Sequence, residues 1–430
     1  MTTNGPPEDD AYAALLLLTR QNVCSMLALG HYWDEYTDFM CAKNRKRRER
    51  YAQLSEEDRT RRARKVPRMA TLQPCESPWA LLYASDNVQG FITVTGLDPT
   101  CFRALLANFK ALFDSHTPYA KYDGNIRRVS PDRERRGRPR KITAHACLGL
   151  TLYWTRTTCY YWTIAGFFGL TASPCELWLR FGKRMLLQVL RNREDAKIRM
   201  PNEETLGQYL GSINLAYNKL TNVAYVGDGL KILIEKSGDN VKQNAFYNGW
   251  KCDHFVTNLF IFAPDGTIIA AILNCPGSLH DSDLAKMGVP SIYQKLEDHY
   301  NKYGARCVMD SAFAAKNHPC IIKSIPRDRI GYVTQSEEEA RIFEQALSAR
   351  QAAEWGMRAL QGSMPRLKAR WHYEEKDERL VGLTMITHLH NFKANNMDLN
   401  QIRSVYWNPY QAAAAVSQET NETNDDIVAV

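Results

Sequence analysis

Residues Tyr225–Ser282 read YVGDGLKILIEKSGDNVKQNAFYNGWKCDHFVTNLFIFAPDGTIIAAILNCPGSLHDS. Three apolar, β-rich runs are separated here by turn chemistry. The run from Val223 through Asp228 to Ile234 is broken only by Gly227 and Gly229 on either side of the acid. His254–Ala263 follows, Pro264-Asp265-Gly266 supplies a turn, and Thr267–Leu273 returns. In the second run Phe255, Asn258, Phe260 and Phe262 interleave with Val256, Leu259 and Ile261, so both faces are largely apolar. That predicts a central strand covered on both sides. Asp228 interrupts the first strand at its middle, and a carboxylate there is costly to bury unless it is paired or binds a metal. A structural Asp in a β-bulge is the alternative reading.

Two further acids downstream weigh on that choice. Gly304–Phe313, GARCVMDSAF, is a short apolar strand running directly into Asp310. Glu354 lies in Ser348–Leu360, SARQAAEWGMRAL, a stretch of good helix formers. Two strand-borne aspartates and a helix-borne glutamate are what a two-metal phosphoryl-transfer site needs. Mg²⁺ prefers oxygen ligands, and two ions roughly 4 Å apart stabilise the attacking and leaving oxygens of an in-line displacement.

These residues resemble the catalytic core of PIF/Harbinger-superfamily DDE transposases. The points of match are Asp228-Gly229, Tyr247-Asn248-Gly249, Gly277-Ser278-Leu279-His280-Asp281-Ser282, Asp310-Ser311-Ala312-Phe313, and Arg350 with Glu354 followed by Pro365-Arg366-Leu367. The likeness covers roughly Thr95 to Asn408. Met309 and Ala312-Phe313 stand where the family more commonly has Gly and Gly-Tyr. The resemblance implies an α/β fold, an RNase H-like catalytic core of mixed sheet flanked by helices. It implies that Asp228, Asp310 and Glu354 are catalytic and hold Mg²⁺ or Mn²⁺ in a two-ion site. It also implies duplex DNA as partner (terminal repeats and target site), a homo-oligomer on DNA and a Myb-like accessory protein.

Two supporting residues follow from position. Arg350 precedes Glu354 by one helical turn and is expected to pair with it or to steady a neighbouring phosphate. Asp281 is expected to cap a helix spanning about Ser282 to Tyr303, broken near Gly288 and Pro290, a role compatible with an active enzyme. Asp283 and Glu337, Glu338, Glu339 and Glu344 read as surface charges.

The chain has 430 residues, 44% hydrophobic and 24% charged, with a formal charge of +8. That is room for two or three domains and a substantial core. The basic residues are clustered, which suits a polyanionic partner better than the net charge alone suggests. Eleven cysteines form no Cys-x-x-Cys pair, and Cys147, Cys159 and Cys307 sit in apolar runs as small core residues. A reduced, intracellular protein without structural zinc is expected. Cys252 and His254 are read as strand packing, and His388 and His390, two apart, as structural. The apolar run Ala13–Leu18 is too short to span a bilayer and follows acids, so neither membrane anchor nor signal peptide is expected.

Residues 1–94 are read as a helical and basic N-terminal region, partly disordered, with a helix over Ala11–Met40. Its basic stretch, Lys43–Arg68, is a solvated helix face, a nuclear-localisation signal or a nucleic-acid contact. A nuclear protein is expected. Residues 95–200 are read as a helical DNA-binding domain. Asp98-Pro99 starts a helix whose Phe102, Leu105, Phe109 and Phe113 face a core. Arg136-Gly137-Arg138-Pro139-Arg140-Lys141 resembles an AT-hook, whose extended arginines enter a narrow minor groove. Three helices follow, from about Thr143 to Trp154, Tyr160 to Phe168, and Ser173 to Leu190, the last opened by a Ser173–Glu176 capping box. The tight turn at Gly169 gives a helix-turn-helix pattern, with Arg180, Lys183, Arg184 and Gln188 outward for phosphates or base edges. A packing domain without a DNA role is the alternative.

Residues 201–410 are read as the DDE nuclease domain, closed by a helix over Val381–Phe392, and 411–430 as a disordered tail. The leading function is a DNA transposase or endonuclease. A domesticated, non-catalytic DNA-binding protein retaining the fold is the second reading. A nuclease acting on RNA or hybrids is disfavoured by the helix-turn-helix, which suits B-form duplex.

Overall fold

The strand carrying Asp228, β1 (Val223–Leu233), is the centre of a mixed sheet. A computed structural model describes residues 72–118, 127–128, 140–313, 318–334, 336–372, 376–397 and 400–416. The helix expected over Ala11–Met40, the basic stretch Lys43–Arg68, Arg136 and Arg138, and residues 417–430 of the expected tail lie outside these. Residues 411–416 of that tail are helical.

On one side of β1 lies β2 (Asp253–Phe262), antiparallel, and beyond it β3 (Ile268–Pro276), also antiparallel. The turn between them places Gly266 at φ +82°, a backbone conformation that favours glycine. On the other side β4 (Arg306–Met309) and then β5 (Ile321–Lys323) join in parallel. β2 is interior and buried through nearly its whole length, as its two apolar faces predict. The β1–β2 ladder runs unbroken from Val226↔Phe262 to Leu233↔Phe255. Asp228 is therefore in regular strand, and the bulge explanation for it fails.

Alternation along β1 and β2 divides the interior into two apolar cores, one on each face of the sheet. Val226, Ile232, Phe260 and Phe262 face one, together with Ala349, Ala353 and Met357. Tyr225, Leu259, Ile261, Cys307 and Met309 face the other, with Leu206, Tyr209, Ile292 and Leu296. The helices supplying these are α7 (Glu203–Ala216), α10 (Ile292–Tyr303) and α12 (Glu337–Ser363). A mixed sheet flanked by helices in this way is consistent with an RNase H-like core.

The helical region ahead of the sheet comprises α1 (Pro78–Ser85), α2 (Val88–Thr95), α3 (Pro99–Ser115), α4 (Ala144–Arg156), α5 (Tyr161–Phe167) and α6 (Ala172–Arg191). Asp98 caps α3 as expected, accepting from Cys101 N at 2.8 Å. The capping box at Ser173 does not form. Gly169, at φ +62°, closes α5, and the chain turns back into helix at once, so that Thr171 is the N-cap and Ser173 lies inside the first turn. α6 packs against α4 and against α13 (Lys376–Asn396).

α13 also fastens the β2–β3 hairpin through the His-Leu-His-Asn run. Asn391 Nδ2 donates to Ile268 O and Lys197 O, each at 2.8 Å, while its Oδ1 accepts from Ile268 N at 2.7 Å. The His388 ring lies 2.8 Å from Ala196 O and the His390 ring 3.1 Å from Gly266 O. These histidines are structural, as their spacing indicated. No helix among the described residues is long and apolar enough to cross a membrane.

Candidate active site

Asp228 and Asp310 reach the same level of the sheet by register. Gly227 stands opposite Met309 in the parallel β1–β4 pair, and each acid follows its partner by one residue. Asp228 Oδ1 accepts from Gly229 N at 2.7 Å, and Asp310 Oδ1 from Ser311 N at 2.7 Å. Each strand thus orients its carboxylate with the next backbone amide.

Glu354 arrives from α12. Small residues on its inner face let this helix lie close to the sheet, and a Cβ on Gly356 would stand 2.7 Å from Phe262 Cζ. Arg350, one turn before Glu354, donates from Nη2 to Glu354 Oε1 at 2.8 Å, and its Nη1 lies 3.8 Å from Asp228 Oδ2. One guanidinium therefore spans the glutamate and the first aspartate.

Asp281 joins the group by a different route from the one expected. Ser291, not Asp281, caps the long helix, with a capping box to Gln294. Asp281 instead opens the four-residue helix α9 (Asp281–Leu284), whose N-cap is His280. Its Oδ1 is buried without a hydrogen-bond partner and lies 3.2 Å from where a Cβ on Gly229 would stand. Gly229 leaves room for this carboxylate, a role not visible in a glycine read only as a strand interruption.

Two motifs interlock to hold the approach to Asp281. Asn248 Nδ2 donates to Gly277 O at 2.8 Å, and Ser278 Oγ to Ala245 O at 2.8 Å. A Cβ on Gly277 would meet Phe255 O at 2.4 Å. Tyr-Asn-Gly and Gly-Ser-Leu-His-Asp-Ser are thus two halves of one brace.

The electrostatics follow from this gathering of acids. Burial pushes the Asp228 carboxyl up to about 6, against the Gly229 amide and Arg350, with the charges of Asp310 and Asp281 adding to the rise. Asp281 is also raised, first by burial and then by Asp310, with Lys231 opposing. The fit of a hard divalent cation rests on these facts. Carboxylates crowded and partly desolvated, one with an orphaned oxygen, are the donor chemistry that Mg²⁺ or Mn²⁺ takes. Among the described residues, however, no three His, Cys, Asp or Glu side chains already form a metal-ready group. In this arrangement the guanidinium of Arg350 supplies positive charge beside Asp228 and Glu354, and Lys231 beside Asp281.

The residues expected to meet DNA are placed unevenly. Lys141 is exposed, and Arg180, half-buried, pairs with Glu176 at 2.8 Å. Arg184 pairs with Glu378. Lys183 is not outward: it is 4% exposed, with its Nζ 3.3 Å from Glu378 and 4.9 Å from the Trp154 ring centroid. A buried acid on α13 draws it inward. Arg140 does not extend as an AT-hook arginine. It folds back on the C-terminus of α3, donating to Phe113 O and, at 2.6 Å, to His116 O, with its guanidinium over the Phe113 ring.

No curated protein and no solved structure matches the chain. Residues 227–391, the segment that carries Asp228, Asp281, Asp310, Arg350 and Glu354, match the family model of the DDE superfamily endonucleases, the PIF/Harbinger type that the motifs resemble.

Proposed function

We propose that this protein is a DNA transposase or endonuclease that cleaves and joins phosphodiester bonds at transposon ends. The family match and the mixed sheet between helices support a transposase- or nuclease-type function in general. The observation that carries the finer reading is the register of β1 and β4, which sets Asp228 beside Asp310, with Arg350 linking Asp228 to Glu354.

Asp228, Asp310 and Glu354 would hold the divalent ions, with Asp281 in support. Two such ions, when bound, supply activation of the attacking oxygen and neutralisation of the leaving one. The chain's own residues do the rest. The Gly229 and Ser311 amides hold two carboxylates in one orientation before substrate arrives, so little reorganisation is needed at the reaction. Arg350 balances the acid cluster at rest and stands one helical turn from Glu354, where its fork can take a phosphate. Lys141 and Arg180, with Arg136 and Arg138, are our assignment for phosphate contacts along duplex DNA. The succession of α5, the Gly169 turn and α6 supports a helix-turn-helix. Action in the nucleus as a homo-oligomer, with a Myb-like accessory protein, follows the family pattern.

Asp310→Asn tests the reading on a labelled terminal-repeat duplex with Mg²⁺ or Mn²⁺. The change keeps volume and removes the charge a hard cation needs, so cleavage should vanish while DNA binding persists. Cleavage retained by the variant removes Asp310 from the site. A wild-type protein that binds the duplex and never cleaves it favours the non-catalytic DNA-binding reading.

A further inference from the structure

A cavity of about 180 Å³ lies away from the acids, lined by Gly96 at the end of α2, Arg156 of α4, Ser363 of α12, and His390 and Lys393 of α13. It contains two cations and no acid among its lining residues. Arg156 is engaged with the ends of two helices: Nη1 donates to Ser363 O at 2.7 Å and Nε to Thr93 O at 3.4 Å. Lys393 has no such engagement among the described residues. Its ammonium lies 2.8 Å from where a Cβ on Gly96 would stand, and the Arg156 side chain lies 3.0 Å from the same point. Gly96 sits at φ +72°, so the αL turn that ends α2 also makes the space in which the two cations meet.

We propose that this cavity is a binding site for a phosphate group, held between Lys393 and Arg156. Two like charges facing one space without a counter-charge cost the fold, and an oxyanion that accepts from both removes the cost. Beyond the two helix-end carbonyls that Arg156 already holds, the polar side chains around the space carry no negative charge. His390 is neutral, pushed down to about 4 by burial, and bonded to Gly266 O; Asn400 donates to the same carbonyl and accepts from Ile402 N. Lys393 itself is pushed down to about 7, first by burial and then by Arg156. Binding of an anion therefore draws a proton onto Lys393 above neutral pH. The phosphate is a free ion or belongs to the backbone of a nucleic acid.

Calorimetry on the full chain with inorganic phosphate at pH 8, in two buffers of different ionisation heat, tests the site. Wild type should bind with net proton uptake. Lys393→Met, which keeps length and apolar volume, should weaken binding roughly tenfold to a hundredfold, the worth of one charge-assisted hydrogen bond. Its stability without phosphate should be equal or greater, because a desolvated cation has been removed. Wild-type protein that takes up no phosphate, or binds it without proton uptake, overturns the proposal. So does a variant that binds as well as wild type, or one that melts earlier, which would mark Lys393 as a cap on the helix ends. The proton uptake needs no variant and stands if Lys393→Met does not fold. Phosphate displaced by a duplex oligonucleotide identifies a backbone phosphate, and phosphate bound alongside the duplex identifies the free ion.

Discussion

Replacing Asp228 by Asn should stabilise the metal-free protein, and by an amount that depends on pH. The Asp228 carboxyl is raised from 3.8 to about 6. At about 1.4 kcal/mol per unit, its ionisation costs the fold about 3 kcal/mol once pH exceeds the folded value. The sign follows from the order of proton release. As pH rises, the unfolded chain ionises near 4, while the folded chain keeps its proton until about 6. Stability is therefore lost across that window and stays lost above it. The attraction of Arg350 is already included in the raised value, and Asn retains an oxygen for the Gly229 amide. In EDTA at pH 8, the variant should tolerate more urea than wild type, by up to about 3 kcal/mol, and the gain should shrink to about 1 kcal/mol at pH 4.5 and vanish near pH 3, below the unfolded value. Mg²⁺ should then raise the wild-type midpoint more than that of the variant, since a ligand stabilises only the state that binds it. A variant less stable than wild type at pH 8 in EDTA would refute the reasoning, and would make Asp228 the anchor of a net stabilising ion pair with Arg350.

Gly277→Ala should cost at least about 2 kcal/mol, because its Cβ would stand 2.4 Å from the backbone oxygen of Phe255 and 2.8 Å from that of Phe246. Neither oxygen can swing away, so thermal melting should fall and cleavage should fall with it as Asp281 moves. Unchanged melting would show that the loop is not braced there. Gly356→Val should push α12 off Phe262, costing about 1–3 kcal/mol, and should lower cleavage more than DNA binding because Glu354 and Arg350 ride on the same helix. Equal loss of both activities would argue for general unfolding instead.

The strands were legible because their chemistry is local. Alternation, the Pro-Asp-Gly turn and the apolar run ending in Asp310 each state their role within about ten residues. Pairing of Arg350 with Glu354 was legible for the same reason, being one helical turn. Lys183 was not. On α6 its position reads as outward, and only the arrival of Glu378 from α13 turns it in. Arg140 follows the same logic, since Arg-Gly-Arg-Pro describes a linker until the carbonyls ending α3 come within its reach. Asp281 was visible as a capping residue, but its true neighbours, Gly229 in β1 and Asp310 just past the end of β4, are far from it in sequence. In each case the missing information was a long-range partner, and charged side chains with several rotatable bonds follow their partners more than their helical phase.

The position of Arg350 explains how such a cluster of acids persists in a folded chain. Three aspartates converge here, two of them, Asp228 and Asp281, raised by burial and by the charge of Asp310. Without a positive charge nearby, the cluster would either hold protons at neutral pH or strain the sheet apart. A lysine in place of Arg350 would offer one point charge to one carboxylate. The planar guanidinium instead addresses Glu354 and Asp228 from different nitrogens, so helix and strand are held in relation by the group that also balances their charge. A guanidinium so placed can leave Asp228 without leaving Glu354, because the shorter contact is to the glutamate on its own helix. The resting cluster is in this way partly balanced by the same group that ties α12 to β1.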